Sequence, residues 1–235
     1  MTLAEPVGWS DFLDRFRWTQ GEHVSLVGPT GQGKTTLALA IMPKRRYSIV
    51  VASKPVDPSL SALVKEQGYE LVRSWPPEPW QVARGRLLLW PTGKSMADNV
   101  KAQRREVAAM LNYTYTAGGY AVLIDELYWV AQQLGLGNEL RVLYRQGRSL
   151  NISLVGSTQR PAWVPREMLT EASHLFFWRT GDIRDIRTIG GLGSFDPNAI
   201  IAEVATLDRY EVLYVNVRES ELIRTKVDVS APVSA

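Results

Sequence analysis

Short, nearly unbroken apolar runs alternate with stretches of helical periodicity along most of the chain. His23 to Val27 (HVSLV), Tyr47 to Ala52 (YSIVVA), Arg86 to Trp90 (RLLLW), Tyr120 to Glu126 (YAVLIDE), Ile152 to Thr158 (ISLVGST) and His174 to Trp178 (HLFFW) have strand length and few polar breaks. That is the pattern of strands covered on both faces. Between them, Thr35 to Ile41, Ser59 to Gln67, Ser95 to Thr116 and Glu139 to Leu150 read as helices, the long one with Val100, Val107 and Leu111 on its buried side. Later come helices near 182–189 and 198–207, strands over 211–217 and 222–227, and a minor strand over 70–72. Strands alternating with helices predict an α/β fold with a mostly parallel central sheet flanked by helices.

The remaining segments are read by their punctuation. Trp9 to Trp18 predicts a short helix with Ser10 as N-cap, Asp11 in its first turn, and Phe12, Leu13 and Phe16 on one face. Trp75-Pro76-Pro77-Glu78-Pro79-Trp80 reads as a surface excursion, 131–138 as a loop and 230–235 as a flexible tail. The expected organisation is a helical segment over 1–20 packing on a single core domain over 21–229. There is no internal repeat.

Composition narrows the function classes. The 235 residues are 45% hydrophobic, enough for one sizeable core. No apolar run approaches the ~20 residues that cross a bilayer, and the start of the chain lacks the pattern of a signal peptide. A soluble, cytoplasmic protein without membrane insertion is the expectation. With no cysteine and two isolated histidines, His23 and His174, disulfides and zinc centres are set aside, and both histidines read as structural. A net charge of +3 permits a polyanionic partner without demanding one.

The chemistry is concentrated at Gly28-Pro29-Thr30-Gly31-Gln32-Gly33-Lys34-Thr35, which satisfies G-x-x-x-x-G-K-[ST] between an apparent strand and helix. Glycines let backbone N–H groups curl around phosphates, and the helix N-terminus adds its dipole. Lys34 is expected on the β- and γ-phosphates of ATP, the Thr35 hydroxyl on Mg²⁺, and Thr36 in the same nucleotide-binding set. A second GKS at Gly93-Lys94-Ser95 lacks the first glycine, since position 88 is Leu88; Ser95 reads as an N-cap with Asp98 completing a capping box.

YAVLIDE ends in two acids where open α/β sheets bind ligands. Asp125 is placed to serve the metal, and Glu126 is the natural general base for a water attacking the γ-phosphate, although a buried strand can also end in plain surface acids. Gln159, ending a later core strand, could orient that water, or be a loop residue before a proline turn. The adjacent glutamate favours a hydrolase over a small-molecule kinase, and no N-K-x-D motif speaks for a GTPase.

The run Gly147 to Pro161 (GRSLNISLVGSTQRP) resembles the motor segment of the FtsK/HerA DNA-pumping ATPases, where a G-R-x-x-x-I strand leads into T-Q-R-P. Ala172 to Phe177 and Asp182 to Ile189 (DIRDIRTI) resemble that family's next strand and turn, and the likeness spans Gly28 to about Gly193. It implies a RecA-like domain assembled as a ring, usually a hexamer, with ATP between subunits and double-stranded DNA in the channel. It also implies that Arg148 is the finger inserted into a neighbour's site, with Arg145 as fallback. A motor without an anchor resembles a viral genome-packaging ATPase of this superfamily, located in host cytoplasm or virion and docking on a portal or capsid vertex. A plasmid-transfer or segregation motor reads similarly. A nucleotide-dependent assembly or switch protein, or a small-molecule kinase, is the alternative. The DNA is expected at the 131–138 loop, through Gln132, Gln133 and Asn138, with Lys101, Arg104, Arg105 or Arg141 giving long-range attraction.

Overall fold

The computed structural model describes residues 4–190 and 195–230. The expected tail therefore lies, apart from Ser230, outside the described residues, as does the 191–193 end of the family likeness.

The described residues form ten strands, β1 (Glu5–Pro6), β2 (His23–Val27), β3 (Ser48–Val51), β4 (Glu70–Val72), β5 (Arg86–Leu89), β6 (Ala121–Ile124), β7 (Ser153–Thr158), β8 (Ala172–Phe177), β9 (Glu211–Asn216) and β10 (Glu221–Lys226). They form one sheet in the order β1-β10-β9-β8-β2-β7-β6-β3-β5-β4. Every pairing from β8 across to β4 is parallel, and β9 alone is antiparallel to both of its neighbours. The apolar runs are strands because each presents alternate residues to two cores. Ile49 and Val51, Leu87 and Leu89, and Val122 and Ile124 face one core, while Val50, Leu88 and Leu123 face the other.

The helices are α1 (Trp9–Arg15), α2 (Lys34–Ile41), α3 (Pro58–Glu66), α4 (Pro79–Arg84), α5 (Met96–Ala117), α6 (Gly137–Gln146), α7 (Glu167–Thr170), α8 (Ile183–Gly190) and α9 (Pro197–Ala205). Asp57 caps α3, accepting from the N–H groups of Ser59 and Leu60, with Pro58 opening the helix. Ser95 caps α5 as expected, accepting from the Asp98 N–H at 3.2 Å and donating to Asp98 Oδ2 at 2.7 Å. In α1 the cap is Gly8, and Ser10 is the helix's second residue. Phe12 and Phe16 pack that helix on Phe176 and Tyr214, and β1 pairs with β10, so Glu5 and Pro6 are built into the sheet.

Two segments depart from expectation. The 75–80 stretch is not wholly a surface excursion: Trp75 is buried, donates its backbone N–H to buried Glu106 at 2.6 Å and packs on Tyr113, while Glu78 and Gln81 cap α4. Of the expected 131–138 loop, 131–133 end a one-turn π-helix (Trp129–Gln133) and 137–138 open α6, leaving a loop over 134–136. Ala131, Leu134 and Leu136 are core residues, so this segment is pinned and does not swing freely.

Both histidines are structural as read. His23 Nε2 meets the Tyr144 carbonyl at 3.0 Å, and its Nδ1 accepts from the Leu154 N–H at 3.0 Å; burial holds its pKa down to about 4. His174 lies between Tyr214 and buried Glu22. Among the described residues no helix is long and apolar enough to cross a membrane.

Candidate nucleotide-binding site

The parallel register brings the chemistry to one sheet edge. Val51 pairs with Ile124, Ile124 with Gly156 and Thr158 with Val27, so β3 and β6 end at one edge of the sheet and β7 and β2 run two residues beyond them at that same edge. Gly28 opens the turn after β2 with its N–H on the Thr158 carbonyl at 3.1 Å. A β-carbon at Gly28 would stand 2.5 Å from Cβ of Trp178, so only glycine fits there. Gly33 has φ +91°, a left-handed conformation that ends the loop and starts α2 at Lys34.

The cleft above this edge holds about 260 Å³ and is lined by Thr30, Gly31, Gly33, Lys34, Thr35, Thr36, Asp125, Glu126 and Gln159. Nearly the whole expected set therefore converges. Lys34 Nζ donates to the carbonyls of Gly28 and Pro29, both at 2.7 Å. Burial depresses its pKa from 10.5 to about 8, partly offset by the negative charges of Asp125 and Glu126. Gln32 turns aside: its side-chain oxygen accepts from the Tyr210 N–H at 3.3 Å.

Thr35 Oγ1 donates to Asp125 Oδ1 at 2.9 Å, and Asp125 is buried. A hydroxyl and one carboxylate are hard oxygen donors that fit Mg²⁺, which takes few protein ligands and completes its shell with phosphate and water. Among the described residues no cluster of three or more His, Cys, Asp or Glu forms a denser metal site. Glu126 is half-buried beside them, and Gln159 Nε2 donates to its Oε2 at 3.2 Å. Burial raises the Glu126 pKa, against the pull of Gln159. A carboxylate held by an amide next to a phosphate cradle can accept a proton from water and orient it.

Four lining residues escaped the sequence reading. Lys54 follows β3, with Nζ 3.8 Å from Asp125 Oδ2 and 3.4 Å from Asp57 Oδ2. The Ser157 hydroxyl is buried and has no hydrogen-bond partner among the described residues, and Ser157 lies two residues before Gln159, a signal that period 2 offers. Tyr210 and Val229 come from the antiparallel end of the sheet and left no local signature.

Arg148 is not in this cleft. It lies in a 3-10 turn (Gly147–Leu150) leading into β7, with its backbone oxygen 3.0 Å from where a β-carbon of Gly21 would stand, before β2 begins. At ~3.3 Å per residue, β2 puts roughly 15 Å between that edge and the phosphate loop. Its side chain is exposed and makes no ion pair among the described residues, whereas Arg145 is held by Glu167 at 2.5 Å. Of the other cations named from sequence, Arg104 donates to the Leu134 carbonyl and Arg105 pairs with Glu106. Arg141 bonds Asn138 Oδ1. Other arginines gather elsewhere: next to Gln159, a cleft of about 630 Å³ is lined by Tyr128, Arg160, Trp163, Asp182 and Arg184, with Arg160 paired to Asp182 at 2.9 Å, and a second cleft includes Arg166 and Arg187. Gln132 reaches this face, donating to the Trp163 carbonyl at 2.8 Å.

No protein-family model matches the chain. A curated relative, the DNA packaging ATPase P9 of Enterobacteria phage PRD1, is 27% identical over 135 residues, which cover 55% of this chain and 58% of that protein. The chain thus matches little more than half the length of that relative. Among solved structures, the genome packaging NTPase B204 of Sulfolobus turreted icosahedral virus 2, in complex with AMPPCP, is similar with a TM-score of 0.64 at 16% identity, covering 89% of this chain and all of that one. VirB4 of Thermoanaerobacter pseudethanolicus is similar with a TM-score of 0.65 at 11% identity, covering 89% and 90%. The plasmid coupling protein TrwB, in complex with the GTP analogue GDPNP, gives 0.61 at 10%, covering 97% and 95%. The likeness to FtsK/HerA-type ATPases is borne out, and with it the α/β P-loop fold.

Proposed function

We propose that a chain so similar to FtsK/HerA-type ATPases is an ATP-hydrolysing motor subunit that moves double-stranded DNA, of the kind that packages a viral genome. One observation carries the reading: two pairs, Thr35 with Asp125 and Glu126 with Gln159, face one phosphate cradle from adjacent strand ends. The cradle alone would suit a kinase or a switch; the half-buried glutamate tethered by an amide is what hydrolysis adds.

In this reading Lys34 and the loop N–H groups hold the β- and γ-phosphates. Thr35 and Asp125 would hold Mg²⁺, which when bound would supply positive charge at those phosphates. Gln159 orients a water, and Glu126 takes its proton as the oxygen attacks the γ-phosphorus. The ADP oxygen leaves on the opposite side.

The chain assembles as a ring, in our reading a hexamer, in which Arg148 of one subunit completes the site of the next. A guanidinium offers fixed donors to charge developing on the transferred phosphoryl group. DNA phosphates would lie along the face bearing Arg184 and Arg187 beside the Arg160–Asp182 pair, with Gln132 at its border; the docking partner would be a portal or capsid vertex, in host cytoplasm or virion. The test is the ATPase rate with and without duplex DNA, measured alongside particle mass. A DNA-stimulated rate in a multi-subunit particle is expected; slow hydrolysis indifferent to DNA would favour an assembly switch instead.

A further inference from the structure

The hydrolytic groups occupy only one side of the nucleotide cleft. Glu126 follows β6 and Gln159 follows β7, both to one side of β2 and its phosphate loop in the sheet order. A triphosphate with its γ-phosphate at Glu126 must carry its nucleoside away from them, towards β8, β9 and β10. Thr36, one residue further along α2 than the Mg²⁺ hydroxyl, lines the cleft together with Tyr210 and Val229 from that side.

Tyr210 is held there by unusual means. Its φ is +67°, a left-handed conformation that a tyrosine rarely adopts. Its N–H donates to the Gln32 side chain of the phosphate loop, and its carbonyl accepts from the Val227 N–H at 2.9 Å. Val227 itself lies against Gly33, so β10 is locked to the loop. The Arg209 guanidinium sits 4.7 Å from the ring centroid. Both backbone polar groups are therefore spent within the protein, and what the residue offers the cleft is its ring.

We propose that Tyr210, with Val229 beside it, is the platform on which the base of the bound nucleotide stacks. This rests on the reading that the loop holds a nucleoside triphosphate, and adds how the nucleoside is recognised. Among the described residues, the side chains lining this end of the cleft are a phenol, an isopropyl group and the Thr36 hydroxyl, and the nearby Gln32 amide is engaged through its oxygen with the Tyr210 N–H. The ligand class is accordingly a purine nucleoside triphosphate chosen by its flat aromatic body, with adenine and guanine accepted alike.

The test is calorimetric binding to the full chain of non-hydrolysable ATP and GTP analogues and of inorganic tripolyphosphate. Tyr210→Ala should weaken both analogues by roughly 5- to 100-fold, the scale of one base–aromatic stack removed, and leave tripolyphosphate unchanged. Tyr210→Trp should retain nucleotide affinity, and Tyr210→Leu serves in place of Ala if thermal melting shows the latter unfolded. Equal weakening of analogue and tripolyphosphate would reduce Tyr210 to a prop for Gln32 and overturn the platform. So would unchanged analogue binding in both the Ala and Leu variants, or wild-type preference for one purine beyond ~30-fold. Failure of the wild type to bind even tripolyphosphate would instead sink the phosphate-site reading beneath it.

Discussion

The side-chain amide of Gln159 donates to Glu126 Oε2 across 3.2 Å, joining the ends of two neighbouring parallel strands at the mouth of the phosphate cradle. Burial pushes the Glu126 pKa up and this bond pulls it down. A general base works only when ionised, so turnover should fall as pH drops through a value above the ordinary 4.5. Gln159→Ala removes the restraining bond, and the acid limb of the pH–rate profile should then move to higher pH. Glu126→Gln should still bind Mg-ATP yet lose turnover by at least ~100-fold. Near-normal turnover in that variant would take Glu126 out of the role.

Lys34 gives a second pH dependence with the opposite sense. Its ammonium is present below about pH 8 and lost as pH rises through it, because burial disfavours the charge. Bound phosphates favour the charged form, so above pH 8 binding must draw a proton from solvent. Nucleotide affinity should fall as pH rises beyond about 8, by up to about tenfold per unit. Calorimetry in two buffers of different ionisation enthalpy should show proton uptake at about pH 9 and none from this group at about pH 7. Lys34→Ala should weaken binding at every pH and flatten the trend.

Arg148 is too far from its own phosphate loop to serve it. If it serves a neighbour's, Arg148→Ala protein mixed with Lys34→Ala protein should regain activity that neither has alone, since some interfaces then pair an intact loop with an intact arginine. Full-rate hydrolysis by monomers in a sedimentation-controlled assay would remove the idea.

The arginine-lined face beside Gln159 predicts how DNA binding depends on salt. Arg184→Ala with Arg187→Ala should lower the log–log salt slope by about 0.9 for each DNA phosphate no longer neutralised, and weaken unrelated duplexes alike. The rate without DNA should be unaffected. A slope unchanged from wild type would put the DNA on another face.

The phosphate loop, Asp125, Glu126 and Gln159 were legible because each carries its signal locally, in a fixed spacing or at the end of an apolar run. Parallel register then did the rest, bringing four strand ends to one edge. Lys54 and Tyr210 were not legible, since no short-range pattern marks them. Lys54 is placed by the loop after β3, and Tyr210 by an antiparallel hairpin from the far end of the chain. Trp75 misled for a related reason: three prolines imply surface, whereas Glu106 and Tyr113 on α5 draw it inward. In 131–138 the glycines outvoted a leucine pair, Leu134 and Leu136, that the core had already claimed.

Arg148 and the phosphate loop at opposite ends of β2 make the molecule one-way. If this arginine serves another copy's cleft, the joint brings one end of β2 in one copy to the other end of β2 in the next. A twofold pair meets that condition only by laying the two copies antiparallel, so that each arginine enters the other's cleft at once. Copies that run the same way meet head to tail instead, and that contact ends only when the turn between successive copies closes a circle. The number of subunits is then set by the angle of a single interface.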